Sequence, residues 1–190
     1  LLRAGPAATP SDGLLLRATL EADGPADRAA GSSPVDVLPV YRLSGVPLPA
    51  DGSGYSAQLL DAAGAVVATH PASLLEAEET GVSARLLIAH VPAPDTAVAT
   101  VRFVRNGRVV GQRQVGGPEA GATGAVQTAV TSDGLGLNWG RPGVPALVRV
   151  SADGVQWTTL ALDVLGGQLT VARDQLPTNG VVQIVPGDGS

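Results

Sequence analysis

The chain has 190 residues, of which 44% are hydrophobic, five are aromatic and none is cysteine or methionine. Its net charge is −5 and all twelve of its basic residues are arginines, so it lacks the basic footprint of a nucleic-acid-binding protein and the polybasic stretch of a lipid-binding surface. The absence of cysteine excludes disulfides, thiolate metal sites and cysteine nucleophiles. No run of 18 apolar residues occurs, and the sequence therefore predicts no membrane span.

Residue usage also indicates a source and a fold class. Arginine without lysine, together with frequent Ala, Val, Gly (25) and Pro (15), suggests a bacterium with a GC-rich genome. The apolar residues occur in short runs between Gly and Pro, which is the arrangement of short strands joined by tight turns.

Strands dominate the first half of the chain. Residues 13–24 alternate between apolar and polar side chains, the period of a half-buried strand. Its apolar face consists of Leu14, Leu16, Ala18 and Leu20. Further strands are predicted at 35–45, where Pro39 indicates an edge or a bulge, and at 82–92.

Two hairpins complete the pattern of this half. Residues 54–70 predict one, and residues 96–115 predict the other around Asn106-Gly107, a strong signal for a two-residue hairpin turn. Between them, "PASLLEAEETG" (71–81) starts with Pro-Ala-Ser and continues with acidic residues. Because so short a segment makes a marginal helix, we expect a loop with one helical turn at most.

A change in amino-acid composition separates the two halves of the chain. "GGPEAGATG" (116–124) offers no side chain for a core and predicts a linker. After it, six short apolar segments follow at 8–12-residue spacing, separated by Asp-Gly, Gly-Gly and Pro-Gly turns. Such spacing is typical of an antiparallel sandwich. The sequence thus predicts an all-β protein of two tandem antiparallel β-sandwiches.

The C-terminal half carries motifs of a known kind of repeat. A strand ends at Trp139, the next leads into Ser-x-Asp-Gly-x-x-Trp (151–157), and Leu176-Pro177 precedes the last strand. With these motifs the region resembles an immunoglobulin-like or fibronectin-type-III-like repeat of large secreted bacterial proteins. The upstream half resembles the sandwich that precedes such repeats in bacterial ectodomains, some of them attached to metallopeptidase regions.

The resemblance implies a division of the chain. We expect an Ig-like sandwich at 1–116, a linker at 117–123, and a fibronectin III-like sandwich at 124–190. Six strands are recognised in the latter, and three explanations stay open for the seventh and last: it lies beyond the given sequence, it is disordered, or another segment takes its place. Related repeats often carry an acidic loop that could hold Ca²⁺ after the first tryptophan. Here that loop, 140–145, has no carboxylate, which leaves calcium binding without its best site.

The two tryptophans are the residues on which a functional interpretation depends most. Trp157 could stack on a sugar or a peptide, or it could pack with Trp139 inside the sandwich. Because an aromatic-poor domain needs the 150–250 Å² that a buried aromatic removes from water, we expect both indoles in the core. The predicted core residues are Trp139, Trp157, Leu137, Val148, Val150, Leu160 and Leu176.

The sequence predicts no catalytic residue, no cofactor site and no metal site. His70 and His90 are the only histidines and lie at strand ends, without the spacing of a zinc site. No serine has the context of a nucleophile elbow. Asp-Gly pairs recur along the chain, at 12, 23, 51, 133, 153 and 188. Since Asp and Gly both favour turns, one pair per turn indicates turn chemistry over calcium ligation.

These features favour a non-catalytic structural or adhesion-type interaction module of a secreted or cell-surface bacterial protein. The alternatives are an accessory carbohydrate- or protein-binding module of a secreted hydrolase, and a hydrolase with a loop-based site. The expected partners are neighbouring domains of the same polypeptide or another protein; carbohydrate has no supporting feature, and nucleic acid is not expected. An open sheet edge is predicted at Val181, Val182, Ile184 and Val185, where a neighbour could add a strand.

Overall fold

The structure, a computed structural model, describes residues 11–20, 35–45, 51–79, 82–116, 126–140 and 142–187. Nearly all regular structure in these ranges is β-strand, paired in antiparallel sheets. The single helical element among them is a 3₁₀ turn at Arg173–Gln175. The all-β, sandwich-type class expected from the sequence is therefore confirmed. Contacts divide the chain into two compact units, residues 1–115 and 116–190.

The first sheet of unit 1 is built around the alternating segment near the start of the chain. Its strands are β1 (Ser11–Leu20), β2 (Val35–Val37), β3 (Tyr41–Gly45), β6 (Ser73–Glu79) and β7 (Val82–Pro92). The sheet order is β2-β1-β7-β6, and β3 also pairs with β1. The predicted strand at 35–45 is thus two short strands along the same side of β1, interrupted around Pro39, which cannot donate to a ladder.

The second sheet of unit 1 contains both predicted hairpins. Its order is β5-β4-β8-β9, where β4 is Tyr55–Leu60, β5 Val66–Pro71, β8 Thr100–Arg105 and β9 Arg108–Gln114. Asn106 and Gly107 connect β8 to β9 with φ values of 50° and 78°. Two successive residues in the left-handed region are what a type I′ turn requires, and Asn-Gly meets that requirement at little steric cost.

The core of unit 1 lies between these two sheets. Leu14, Leu16 and Ala18 of β1 are buried in it, as the alternation predicts, and Leu59 and Phe103 contribute from the second sheet. Leu20 packs against the same cluster while remaining partly exposed. The period-two pattern of β1 therefore fixes which of its faces is buried.

The structure corrects the prediction of a loop at segment 71–81. Its described part, 71–79, is not a loop with a helical turn: β6 occupies Ser73–Glu79 and pairs antiparallel with β7, from Ser73 opposite Ile88 to Glu79 opposite Val82. Ala, Leu and Glu are good helix formers, but seven residues are too few for a helix to be stable by propensity alone. Backbone pairing with the long strand β7 decides the outcome.

Unit 2 contains the six strands that the sequence predicts. They are β10 (Gln127–Val130), β11 (Gly134–Asn138), β12 (Ala146–Ser151), β13 (Thr158–Val164), β14 (Gln168–Ala172) and β15 (Val181–Pro186). They form two three-stranded antiparallel sheets, ordered β10-β11-β14 and β13-β12-β15. The predicted linker, 117–123, lies outside the described residues.

The core of unit 2 is small and is built around one indole. Its buried members are Leu137, Trp139, Ala146, Val148 and Val171. Side chains of β13, β14 and β15 pack against them, as does Leu176 from the connection into β15. Five of the six strands contribute to this core. The remaining strand, β10, contributes none of its residues.

Candidate functional site

The structure places most of the predicted core residues of unit 2 in its interior. Trp139 is 2% exposed, and Leu137, Val148 and Val150 are buried. Leu160 and Leu176 are half-buried and pack against the same cluster. Trp157 is the predicted core residue that does not lie in the core.

Trp157 stacks on an arginine instead, which corrects the expectation that it packs against Trp139. The guanidinium carbon of Arg149 lies 4.4 Å from the centroid of the Trp157 ring. Val148 and Val150 point into the core from β12, and alternation turns Arg149, between them, to the opposite face of the sheet. Trp157 is half-buried on that outer face, where its ring and the cation attract each other.

Arg149 is held in place from a second direction. It is itself buried, and its Nε donates a 2.7 Å hydrogen bond to Oε1 of Gln183, its direct partner on β15. The guanidinium is thus positioned by the neighbouring strand β15 and by Trp157, which lies in the connection just before β13. Trp157, Arg149 and Gln183 form one cluster on the outer face, which we call the arginine cluster.

The Asp-Gly turn beside this cluster is held by its carboxylate. Asp153 Oδ1 accepts hydrogen bonds from the backbone N–H groups of Gln156 and Val155, each at 2.8 Å, and from the Ser151 hydroxyl at 2.9 Å. These donors, with Gln156 first and then Val155 and Ser151, lower the pKa of Asp153 below its ordinary value. Its acceptor oxygen is used within the turn, which favours turn chemistry for this pair.

The two histidines lie on different sheets of unit 1. His70 is half-buried on β5, whereas His90 on β7 is buried. The His90 Nε2 lies 3.1 Å from the carbonyl oxygen of Leu43, so this nitrogen carries the proton and donates it. Space for the imidazole is made by Gly13, where a Cβ would lie 2.5 Å from His90 Cε1. In the described ranges no three His, Asp or Glu side chains are grouped as metal ligands.

A shallow trough runs over the outer face of the sheet β10-β11-β14. Its volume is about 660 Å³. Its polar side chains are those of Gln127, Asn138, Gln168 and Thr170, with Ala129 and Gly136 as the small residues beside them. Amide and hydroxyl groups of this kind donate and accept hydrogen bonds, so the trough suits a neutral polar ligand. Sequence reasoning missed it because polar residues on an outward face look like an ordinary solvated surface.

The predicted open edge lies on β15, which is the last strand of its sheet in the described part of unit 2. Val182 and Ile184 are half-buried against the core, and Val185 is buried. Val181 is 56% exposed. The four predicted edge residues therefore divide between the two faces of the sheet.

Comparison of this chain with protein-family models, with curated proteins and with solved structures finds no match. In the described part of the chain, no helix is long and apolar enough to cross a membrane.

Proposed function

We propose that this chain is a non-catalytic structural or adhesion-type interaction module of a secreted or cell-surface bacterial protein. Within this proposal, residues 1–116 form an Ig-like sandwich and residues 124–190 a fibronectin III-like sandwich. The observation that carries it is the division of the chain into two compact units, each with a hydrophobic core of its own.

Two units with separate cores suit a spacer. Each is held by backbone hydrogen bonds between antiparallel strands of distant sequence position. Such sheets are rigid relative to the loops that connect them, which leaves loops and edges for contact with partners. A chain of such units sets distance and displays surfaces without any reactive group.

The strand pairing of unit 2 supports the fibronectin III-like part of the proposal. In order along the chain, its first, second and fifth strands form one sheet, and its third, fourth and sixth form the other. Consecutive strands β11 and β12 belong to opposite sheets, as in the Greek-key connections of Ig-type sandwiches. A seventh strand of such a repeat would take the place beside β15.

Stretching single molecules tests the proposal. Two independent units unfold in two events, whose length gains follow from about 3.4 Å per residue. The strands of unit 1 span 11–114 and those of unit 2 span 127–186, so we expect gains of about 350 Å and about 200 Å. A single event of about 600 Å or more would show one cooperative body and overturn the proposal.

A second candidate is an accessory carbohydrate- or protein-binding module of a secreted hydrolase, and the polar trough of unit 2 favours it. Its test is titration of the chain with neutral hexasaccharides (cello-, xylo- and maltohexaose), followed by NMR. Binding in the trough shifts the side-chain amide signals of Asn138 and Gln168. Unshifted amides at millimolar sugar would remove this candidate, and the His70 amide in unit 1 serves as the internal control.

A further inference from the structure

Apart from β15, the edge strands in the described part of the chain carry features that oppose pairing with another strand. Such features include breaks, bulges, charges and short length. In unit 1, the edge made by β2 and β3 is interrupted around Pro39, β6 contains Glu76, and the ladders of β5 and β9 each contain a register shift. In unit 2, β10 and β14 have four and five residues, and the β12–β13 ladder is bulged, with Asp163 at φ 56°.

The edge of β15 has none of these features. Its six residues, VVQIVP, carry no charge, and they pair with β12 in continuous register from Val181 to Pro186. The only proline is the last residue, Pro186, which has no N–H to donate, so the edge that is open to pairing runs from Val181 to Val185. Among the described strands, β15 is thus the edge that is open to pairing.

The register shows which backbone groups of β15 are free. Gly187 N donates to Pro145 O at 2.7 Å, so this pair is hydrogen-bonded, and bonded pairs alternate along an antiparallel ladder. Residues 181, 183 and 185 therefore bond to β12. The N–H and C=O groups of Val182 and Ile184 point away from β12, toward the open side of the sheet.

The opposite sheet is uncovered on its core side at β10. Thr128 and Val130 stand directly across from Leu137 and Leu135, and directly opposed residues share a face. Val130 therefore points to the core side, yet it is 89% exposed. Val126, just before the strand, is 42% exposed. An apolar core-facing side chain without cover indicates that a layer of the sandwich is incomplete there.

The free edge and the uncovered face lie on the same side of unit 2. Strands β13 and β14, at one end of each sheet, contact each other. Given the sheet orders, β10 and β15 are then the two strands at the other end. A cleft of about 380 Å³ opens between the β10–β11 turn and the connection into β15, lined in part by Val130, Leu135, Leu176 and Pro177.

We infer that unit 2 binds an extended segment of a partner polypeptide, which adds as a strand beside β15 and covers the core-facing side of β10. The backbone of this segment bonds to the free groups of Val182 and Ile184. Its inward side chains, at every second position, lie over Val130. This inference rests on the proposed role as an interaction module and specifies its partner.

The two strands also define the chemistry of the partner segment. Neither β10 (QTAV) nor β15 (VVQIVP) contains a charged residue, and Arg173 is the charged residue that lines the cleft. A charge on an inward position away from Arg173 would therefore be desolvated without a partner. We therefore expect a neutral segment with aliphatic residues at alternate positions and β-branched residues, which favour the extended backbone. Strand addition of this kind obtains affinity from main-chain hydrogen bonds and specificity from alternate side chains.

The experiment supplies such a strand and measures amide hydrogen exchange. The probe is the full chain followed by a flexible Gly-Ser linker and the strand Thr-Val-Thr-Val-Thr-Val-Thr, since a linker provides a local concentration in the millimolar range. Exchange at Val182 and Ile184 is expected to slow about tenfold or more relative to the unextended chain. The matched control carries Pro in place of the central Val of the added strand and should give no slowing.

Substitutions on β10 test the second half of the inference. Val130→Lys in the extended chain places a charge under the added strand and should remove most of the slowing, while costing the fold little because Val130 is exposed. Val155→Lys is the matched variant: Val155 is 68% exposed, in the turn before β13, and its replacement should leave the slowing unchanged. Equal effects of the two lysines would overturn the contact with β10.

Other occupants of the edge give different results. If exchange at Val182 and Ile184 in the unextended chain slows with protein concentration and the sedimenting mass doubles, a second copy occupies the edge and the inference of a partner segment fails. It also fails if the added strand leaves the exchange of both amides unchanged. The stretching experiment is independent of these outcomes: two unfolding events with no strand addition would retain the module and remove only this mode of binding.

Discussion

The two tryptophans of unit 2 provide a sharp test because they are close in sequence and differ in environment. Trp139 is 2% exposed and central to the core, whereas Trp157 is half-buried and rests on Arg149. We expect Trp139→Ala to destabilise unit 2 much more than Trp157→Ala does.

The magnitudes follow from burial. A buried indole removes about 150–250 Å² from water, which at about 25 cal/mol per Å² corresponds to about 4–6 kcal/mol. A folded unit of some 60 residues has a stability of about 3–9 kcal/mol. Trp139→Ala should therefore remove between about half of this stability and all of it. Trp157→Ala removes a cation–π contact and partial burial, for which about 1–2 kcal/mol is expected.

Urea unfolding followed by tryptophan fluorescence measures both effects. The chain has two tryptophans, both in unit 2, so the signal reports that unit alone and each variant keeps one indole as a reporter. The Trp157→Ala variant should give a cooperative transition with a blue-shifted native emission from Trp139. Equal losses of unfolding free energy in the two variants would refute the assignment of a single core indole.

Three further outcomes are expected from single turns and close contacts. Hydrogen bonds from Ser53 and from the backbone N–H of Leu74 lower the pKa of Asp51 from 3.8 to about 2. The stability that this carboxylate contributes is complete above pH 3.8 and is lost as the pH falls toward 2; Asp51→Asn should flatten that part of a pH series of urea midpoints. At Gly134 an added Cβ would lie 2.0 Å from the carbonyl oxygen of Val171, so Gly134→Ala should lower the unfolding free energy of unit 2 by about 1–3 kcal/mol, and an unchanged midpoint would contradict that contact. Asn106→Ala should cost unit 1 about 1–2 kcal/mol, because alanine disfavours the left-handed backbone at φ 50°; calorimetry of the unit 1 transition checks it.

Local pattern in the sequence was sufficient for most strands. The alternation in β1 and the Asn106-Gly107 turn each specify structure through neighbours in the chain, so they can be read without tertiary information. Segment 71–81 could not be predicted this way, because its helix-forming residues become a strand only through pairing with β7. Propensity at that length is weaker than a ladder with a distant strand.

Local sequence patterns predict the side-chain contacts of the candidate site even less well than they predict the strands. Trp157 lies three residues after the Asp-Gly turn, and nothing in its local pattern reveals that Arg149 offers its guanidinium on the outer face. This contact joins β12 to the residue just before β13, so it depends on the register in which these two strands pair, which the sequence does not encode locally. The exposure of Val130 is a further case, since its apolar side chain and its place in an alternating strand both predict burial.

The predicted edge of β15 was accessible to sequence reasoning because a six-strand count suggested an unfilled place in the sheet. The sequence could not show which amides of β15 are free, because that follows from the hydrogen-bonded pair of Gly187 and Pro145. The uncovered side of β10 likewise requires the pairing with β11 to be known. Together, these two observations define the surface of unit 2 on which a further strand would bind.

Native-state amide hydrogen exchange of the unextended chain tests the central claim, an open edge on β15, most directly. Strand β15 should show alternating rates: slow exchange at Val181, Gln183 and Val185, whose N–H groups bond to β12, and fast exchange at Val182 and Ile184. Uniformly slow exchange at all five amides would show that another strand already bonds to this edge and would contradict the claim.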